Sequence, residues 1–440
     1  MKVLCLTAHG PYRAGKVAYD LHSAFKSNGY ESRLLTIYDD SDHKDVISIY
    51  NAKEWNRLRL KKKIFRKFNK WFGGKKQSPA QKIDRKYQFF ELDNTIEYFA
   101  TDLILQCLGD YQPDVIIVFF TTQFITAKNI KQLAQKTNAT VLWQFLDMAP
   151  LTGGCHYAWE CDGYKNNCGK CPALYSSDSN DQSAINLRFK QQNVEGYDLR
   201  LMIGSRWDEL NTKASSLFKN KRLYRTFMSV EPDIFTPASR QGARRELTIA
   251  DDEFVVFFGS VHFGEERKGM DHLLKALHKV EKHFKEQAAG KNISLLIAGS
   301  TNNFPVHELP FRYRMLGYLK EVDQLAHAYA AADIFICPSI YDSGPVMINQ
   351  ALMTGTPVVS FEMGVALDLV EHYQTGYLAK WADADDLSEG IKYLVNLSEE
   401  ARAEMRQRCR EKAIELYAPA AVVANYTAVF EEIKMEKTLS

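Results

Sequence analysis

The sequence predicts an α/β protein of two doubly wound, Rossmann-like domains facing a central cleft. Three observations lead there. Its 440 residues exceed one ordinary core and suit two domains of about 200 residues each. Short apolar runs alternate with amphipathic stretches along the chain, the pattern of parallel sheets built from βαβ units. The series also starts twice, at the first residues and again near Glu253, with the Pro-bearing polar stretch "SVEPDIFTPASRQGARREL" between the two starts.

The first series places strands at 2–8, 32–38, 115–120, 140–145 and 199–204. Runs such as "KVLCLTA" and "VIIVFF" lack the polar alternation of a half-exposed strand, so both of their faces are covered. Helices fall at 15–28, 94–108 and 126–137, and Leu21 and Phe25, four apart, mark the core face of the first. The second series places strands at 254–259, 294–298, 334–337 and 357–360, with helices at 270–283, 322–331 and 346–353. The tail from 419 to 437 is helical in pattern and folds back over one of the domains. The expected division is 1–225, 226–418 and a tail of 419–440. In such sheets a ligand lies in the crevice at the carboxyl ends of the strands.

Composition narrows the class. Hydrophobic residues make up 45% and charged residues 25%, the usage of a soluble globular protein. No run of about 18 uninterrupted apolar residues argues for a spanning helix. The start, "MKVLCLTAHG", reads as a buried strand, not a secretory signal, so the expected location is the cytoplasm, where thiols stay reduced.

The net charge of +2 is unevenly spread. Between Lys53 and Lys76 stand eleven Lys or Arg against one acid, Glu54, a local charge of about +10 that leaves about −8 elsewhere. Apolar residues there recur mostly three or four apart, at Trp55, Leu58, Ile64, Phe65, Phe68, Trp71 and Phe72, which makes a basic amphipathic helix. The expected partner is an anionic membrane face, each basic residue contributing about 1 kcal/mol. A solvated surface helix has the same pattern. No nucleic-acid-binding module accompanies the patch, so nucleic acid is not an expected partner.

Three turns have ligand chemistry. Gly10 and Gly15 stand between the first strand and its helix, where backbone N–H groups and the helix dipole suit an anion. Lys268-Gly269 opens the helix after the strand at 254–259, placing a point charge for a phosphate. In "PSIYDSGPVMINQALMTGTPVVSF", Asp342-Ser343-Gly344-Pro345 leads a helix that carries Asn349 and Gln350. Carboxylate and amide suit sugar and ribose hydroxyls there, although Asp342 alone also reads as an N-cap.

Half of the eight cysteines lie in "TGGCHYAWECDGYKNNCGKC", at Cys155, Cys161, Cys168 and Cys171. Four thiolates suit a tetrahedral structural zinc, and the last pair has the usual C-x-x-C spacing. Reduced thiols, a disulfide and an iron–sulfur cluster remain as alternatives. Cys5, Cys107, Cys337 and Cys409 read as incidental buried thiols, and His262 and His272 as satisfied polar groups.

The donor-loop stretch resembles the nucleotide motif of retaining GT-B glycosyltransferases of family 4. "RKGMDHLLKAL", "LLIAGS", "MLGYLKEVDQLAHAYAAADIFICPS" and "SVEPDIFTP" resemble further family segments, and the likeness runs over roughly 1–430. The cysteine run is similar to a polysaccharide- and capsule-assembly subset with a Thr-Gly-Gly-Cys-His-Tyr loop. By position, the resemblance implies that Lys268, with Arg267, and Gly15 meet the donor diphosphate. It puts Ser343, Gly344 and Pro345 beside the phosphates, Asp342 on the transferred sugar, and Asn349 and Gln350 toward the nucleoside. Asp147 and His156 join Asp342 as catalytic candidates, with Thr152, Gly153 and Gly154 beside them.

The implied reaction moves a sugar from a nucleotide-diphosphate donor to a hydroxyl of a saccharide acceptor, lipid-linked at the inner membrane face, for bacterial surface polysaccharide. Configuration is retained without a covalent enzyme intermediate, and no catalytic metal is expected. Departures from the pattern are Asp342 and Gln350 where the family has glutamates, Ser260 where it has arginine, and Leu146 where the subset has histidine. They motivate one rival reading, a nucleotide-sugar-binding scaffold; a GT-B epimerase or phosphorylase is a further alternative.

Overall fold

The computed structural model describes residues 1–11, 14–39, 43–51, 82–287, 290–300 and 305–439. The expected basic helix at 53–76 lies outside these residues. The chain forms two compact units. One comprises Met1–Ile203, Glu209–Arg225 and Val423–Ser440, the other Gly204–Asp208 and Thr226–Val422.

The first unit is built on seven parallel strands: β1 (Lys2–Thr7), β2 (Glu31–Thr36), β3 (Val46–Ser48), β4 (Val115–Val118), β5 (Thr140–Gln144), β6 (Leu199–Ile203) and β7 (Leu223–Arg225). Their order is β3-β2-β1-β4-β5-β6-β7, with Lys2 opposite Glu31 and Val3 opposite Val115. The continuous apolar runs fill the sheet centre, where β4, β5 and β6 are buried throughout. The expected helix at 94–108 begins only at Thr101. Before it, the Asn94 N–H donates to Asn186 Oδ1 (2.9 Å), a long-range bond that replaces the first helical turns.

The tail forms the helix Pro419–Leu439, which ends in the first unit. By length and hydropathy the stretch Glu399–Leu439 could cross a bilayer. A packing reason accounts for its apolar side: the rings of Tyr426 and Phe430 lie 5.4 and 5.5 Å from that of Phe25. Its polar side closes over Arg200, whose side chain is buried and donates to Glu432 Oε1 (3.0 Å), Glu436 Oε2 (2.6 Å) and Asp198 Oδ2 (3.2 Å). Three carboxylates around a buried guanidinium supply the pairing that an isolated charge would lack.

The second unit has six parallel strands: β8 (Phe254–Ser260), β9 (Ile293–Gly299), β10 (Arg312–Gly317), β11 (Ile334–Cys337), β12 (Val358–Phe361) and β13 (Gly376–Ala379). Their order is β10-β9-β8-β11-β12-β13. Part of the expected linker is the helix Arg240–Glu246. Arg410 donates to the carbonyls of Pro232 (2.9 Å) and Met353 (2.5 Å), tying the entry segment to the helix Val346–Met353. In each sheet the strand order reverses direction once, between β1 and β4 and between β8 and β11. The carboxyl ends of those pairs open the crevices where α/β sheets hold ligands.

Candidate active site

In the second unit the switch point is built from two loops. After β8 the chain makes a short 3-10 turn, Glu266–Lys268. After β11 it runs through Pro338–Pro345 into the helix Val346–Met353. The loops are joined by backbone, since the N–H of Ile340 donates to the carbonyl of Arg267 (2.8 Å). Gly269 makes that approach feasible. Its φ is +65°, and a Cβ there would stand 1.8 Å from the Pro338 carbonyl oxygen.

The joined loops bring three of the expected residues onto one atom. Arg267 Nη1 (2.8 Å) and Lys268 Nζ (2.7 Å) both donate to Asp342 Oδ2. Burial pushes the Asp342 carboxyl up, but Lys268 and then Arg267 outweigh it and hold the group below the ordinary carboxylate range. Ser343 follows, buried, with its Oγ lacking a hydrogen-bond partner, while its carbonyl accepts from Ser205 Oγ (3.2 Å). Pro345 N-caps the next helix without a side-chain bond to it. The site thus offers two cations, an unpartnered hydroxyl and a helix N-terminus within a few residues of one carboxylate, a set suited to a diphosphate.

The remaining donor-side expectations divide. Gln350 is fixed by Tyr329, whose hydroxyl donates to its Oε1 (3.2 Å), leaving the amide N–H groups to donate elsewhere. Gly344 is not sterically required, because a Cβ there would meet only ordinary contacts, 3.5 Å at the nearest. Asn349 lies deeper, and its Oδ1 is buried without a hydrogen-bond partner. It is buried, its Nδ2 donates to the Met228 carbonyl (3.3 Å), and its own carbonyl accepts from Tyr417 (3.0 Å). On its helix it follows the buried Ile348 and precedes the buried Ala351, so it sits on the core side.

In the first unit Gly15 N-caps the helix Lys16–Ser27. A Cβ there would lie 2.0 Å from the His9 carbonyl, so its smallness serves the tight turn after β1. The cysteine loop follows β5. It brings His156 Nδ1 to 2.8 Å from Asp147 Oδ2. Burial opposes both charges, yet each supports the other: Asp147 is held below the ordinary carboxylate range and His156 above the ordinary histidine range. The Ala149 N–H fixes the other carboxylate oxygen, Oδ1 (2.8 Å). His156 Nε2 is buried without a hydrogen-bond partner, and Phe90 contacts the ring edge to face at 5.1 Å.

Sequence reading missed the residues that hold this loop. Lys190 is buried and donates to the carbonyls of Ala149 (2.7 Å) and Thr152 (2.8 Å). The signal was its place three residues after buried Leu187, a lysine on the covered stripe of the helix Gln182–Asn193. Asn186 donates to the carbonyls of Glu91 and Gly153, both at 2.8 Å, and Asp181 caps the same helix while accepting from the Cys171 N–H (2.8 Å).

The four loop cysteines line one small void of about 20 Å³, room for a single atom-sized guest. As they stand they are free thiols, and no three His, Cys, Asp or Glu among the described residues are placed to hold a metal ion. The four expected zinc ligands are thus brought together around one void. Burial raises the thiols of Cys155, Cys168 and Cys171, Cys168 to about 12.

Residues 239–416 match the family model described as glycosyl transferases group 1. An uncharacterized glycosyltransferase of Methanocaldococcus jannaschii is 26% identical over 52% of this chain and 57% of its own. A D-inositol 3-phosphate glycosyltransferase of Geodermatophilus obscurus is 28% identical over 46% and 47%. The matched stretch thus spans about half the length of these relatives. Among solved structures, sucrose-phosphate synthase from Thermosynechococcus elongatus superposes with a TM-score of 0.66 at 16% identity, covering 99% of this chain and 100% of that one. Anabaena HepE in complex with UDP-glucose gives 0.59 at 15%, covering 98% and 100%. These likenesses establish the GT-B fold, two Rossmann-like sheets in one chain.

Proposed function

We propose that this GT-B chain, with its group 1 glycosyl transferase segment at 239–416, is a glycosyltransferase using a nucleotide-diphosphate sugar. The observation that carries the reading is the convergence of Arg267 and Lys268 on Asp342, beside the unpartnered Ser343 hydroxyl and an uncapped helix start. A diphosphate replaces Asp342 as the partner of the two cations. The freed carboxylate then accepts from hydroxyls of the sugar, and the Gln350 amide from its fixed position donates to the ribose. Within the first unit, His156 Nε2 donates to a sugar hydroxyl while Asp147 holds the ring.

Transfer proceeds with retention. The bond from the anomeric carbon to the diphosphate oxygen breaks, and the acceptor oxygen bonds to the same face. The acceptor proton passes to the departing diphosphate. The protein lowers the barrier through charge stabilisation of the leaving group and through positioning, the two large terms available without a covalent intermediate. No step uses a metal.

The acceptor is a saccharide, lipid-linked, in bacterial surface-polysaccharide assembly. The basic stretch Lys53–Lys76 supports a site of action at the cytoplasmic membrane face. Incubation with UDP-, GDP- and dTDP-sugars, following thermal shift and release of free nucleotide with membrane extract as acceptor, tests the reading. Donor-dependent stabilisation plus acceptor-dependent release is expected. Stabilisation with no release on any acceptor would favour a binding scaffold, and interconversion of the donor alone an epimerase.

A further inference from the structure

Between β5 and the helix Gln182–Asn193 the chain has little regular structure. Among the described residues, 145–181 form two three-residue 3-10 turns, Gly163–Lys165 and Pro172–Leu174, and one bridge between Cys155 and Phe89. A loop of that length is uncommon in a compact domain unless something fastens it. Its own apolar cluster is small: Phe89, Cys171, Ala173 and Leu174, with Ile83, Tyr87 and Cys155 packed against it. Cores of that size gain stability from a disulfide or a structural metal.

The four cysteines of the loop surround a common point. Cys155, Cys161, Cys168 and Cys171 line the void of about 20 Å³. A Cβ on Gly163 would stand 3.4 Å from Cys161 Sγ and 3.6 Å from Cys168 Sγ, so these two sulfurs lie within about 7 Å of each other. A tetrahedral zinc holds each sulfur at about 2.3 Å and each pair about 3.8 Å apart. As free thiols the cysteines stand back from that centre, and a single χ1 change moves a cysteine sulfur by about 3 Å.

The backbone is arranged for the same purpose. Burial raises the thiols, and backbone donors oppose it: the Gly153 N–H at Cys168, and the N–H groups of Leu174 and Ala173 at Cys171. Such bonds favour a thiolate and orient it. Cys168, Gly169 and Lys170 hold φ of +53°, +88° and +48°. Two of the three carry side chains, a conformation that persists where the surroundings over-determine it. Bonds from Cys168 and Cys171 to one ion do that.

Size and softness select the guest. The void has room for one atom, and a cluster of two irons and two sulfides is larger. Thiolates favour zinc over the hard cations, which take oxygen. On binding, each thiol gives its proton to solvent and four S–Zn bonds form, with no change of oxidation state. The complex carries two negative charges. Lys190, buried and bonded to the Thr152 carbonyl (2.8 Å), supplies a positive charge to the same loop.

We infer that Cys155, Cys161, Cys168 and Cys171 bind one zinc ion as a four-thiolate structural site. The claim goes beyond the transfer reaction and does not rest on it. The ion also steadies a residue of the candidate site. Cys155 precedes His156, whose N–H donates to the carbonyls of Tyr87 and Gln88 (both 3.2 Å), so fastening the cysteine fastens the histidine.

The test is elemental analysis of the full chain, purified under reducing conditions from zinc-supplied cells, beside the chain made in cobalt-supplied cells. One zinc per chain is expected. The cobalt form should show the intense visible bands of tetrahedral coordination and thiolate-to-cobalt charge transfer in the near ultraviolet. Cys161→Ser and Cys168→Ser should each lose zinc to a chelator at about 10²-fold lower concentration, while Cys107→Ser, outside the cluster, keeps the native value. If a serine variant fails to fold, the cobalt spectrum of the native chain decides alone. Four freely titrating thiols without zinc, the weak bands of an octahedral cobalt site, iron with acid-labile sulfide, a disulfide in the purified chain, or native zinc retention in both folded serine variants would each overturn the inference. Failure of the glycosyltransferase reading looks different: zinc is present at one per chain, and no nucleotide is released from any donor.

Discussion

His156 Nδ1 and Asp147 Oδ2 stand 2.8 Å apart in a buried site that leaves the other histidine nitrogen without a partner. The pairing fixes a pH dependence. Because Asp147 keeps His156 protonated above its ordinary range, activity should fall on the alkaline side as that proton is lost. Asp147→Asn removes the charge, so the alkaline limb of kcat should move to lower pH, with kcat itself about 10²-fold down. A limb at the same pH in the variant counts against a proton on Nε2.

The same pair makes a stability prediction. His156, raised, contributes in full below its unfolded value of 6.5, and the contribution disappears as pH rises through the higher folded value. Asp147, lowered, contributes above its unfolded value of 3.8, and that contribution is lost as pH falls through the lower folded value. The gap in Tm between the native chain and His156→Gln should therefore be widest between about pH 3.8 and 6.5. It should narrow on either side. A gap that does not vary with pH would mean the two groups do not support each other's charge.

At the donor crevice the two cations and Asp342 should separate by substitution. Lys268→Ala removes one phosphate charge, and calorimetry should show UDP binding about tenfold weaker. Asp342→Asn leaves both cations free of their carboxylate. UDP should then bind at least as tightly, while sugar transfer falls about 10²-fold. Equal losses of UDP affinity in both variants would place Asp342 on the nucleotide instead of the sugar.

Lys190 provides a test of the loop's support. Lys190→Met leaves the carbonyls of Ala149 and Thr152 without their donor. An unpaired buried group costs about 1–3 kcal/mol, so with two carbonyls chemical denaturation should show a loss of roughly 2–6 kcal/mol. Transfer activity should drop more steeply than UDP affinity, since the second unit is untouched. A variant with native stability would show that other groups hold the loop.

The cysteine void separates packed thiols from a metal centre. For packed thiols, prolonged chelation should leave the Tm unchanged, and Cys168→Ser should cost only the packing of one sulfur. A chelator-induced fall in Tm together with stoichiometric zinc by elemental analysis would show that the four sulfurs close around an ion.

Much of this was legible from residue order. The apolar runs of β1, β4 and β5 announce buried parallel strands, and Asp342-Ser343-Gly344-Pro345 announces a helix start with ligand chemistry. Edge strands were not legible, because β10 ("RYRMLG") alternates charged and apolar residues and β3 and β7 are three residues long. Neither was the joining of Arg267 and Lys268 to Asp342, 75 and 74 positions away. The burial of Asn349 was not legible for a related reason. Beside Gln350 it looks equivalent, but one helical step of about 100° turns it into the core. Lys190 shows the limit most clearly, since its partners are loop carbonyls, and every residue has a carbonyl.

The closing of the final helix over Arg200 and Phe25 also sets a timetable. During synthesis, residues 1–225 emerge long before 423–439, yet the first unit needs both. Until the last turns leave the ribosome, the face of Phe25 stays wet and Arg200 lacks Glu432 and Glu436. The nascent chain must therefore carry an unfinished first half through the making of its second, exposed to chaperones and proteases for that interval. A stop codon near position 420 would leave the amino-terminal unit without its lid.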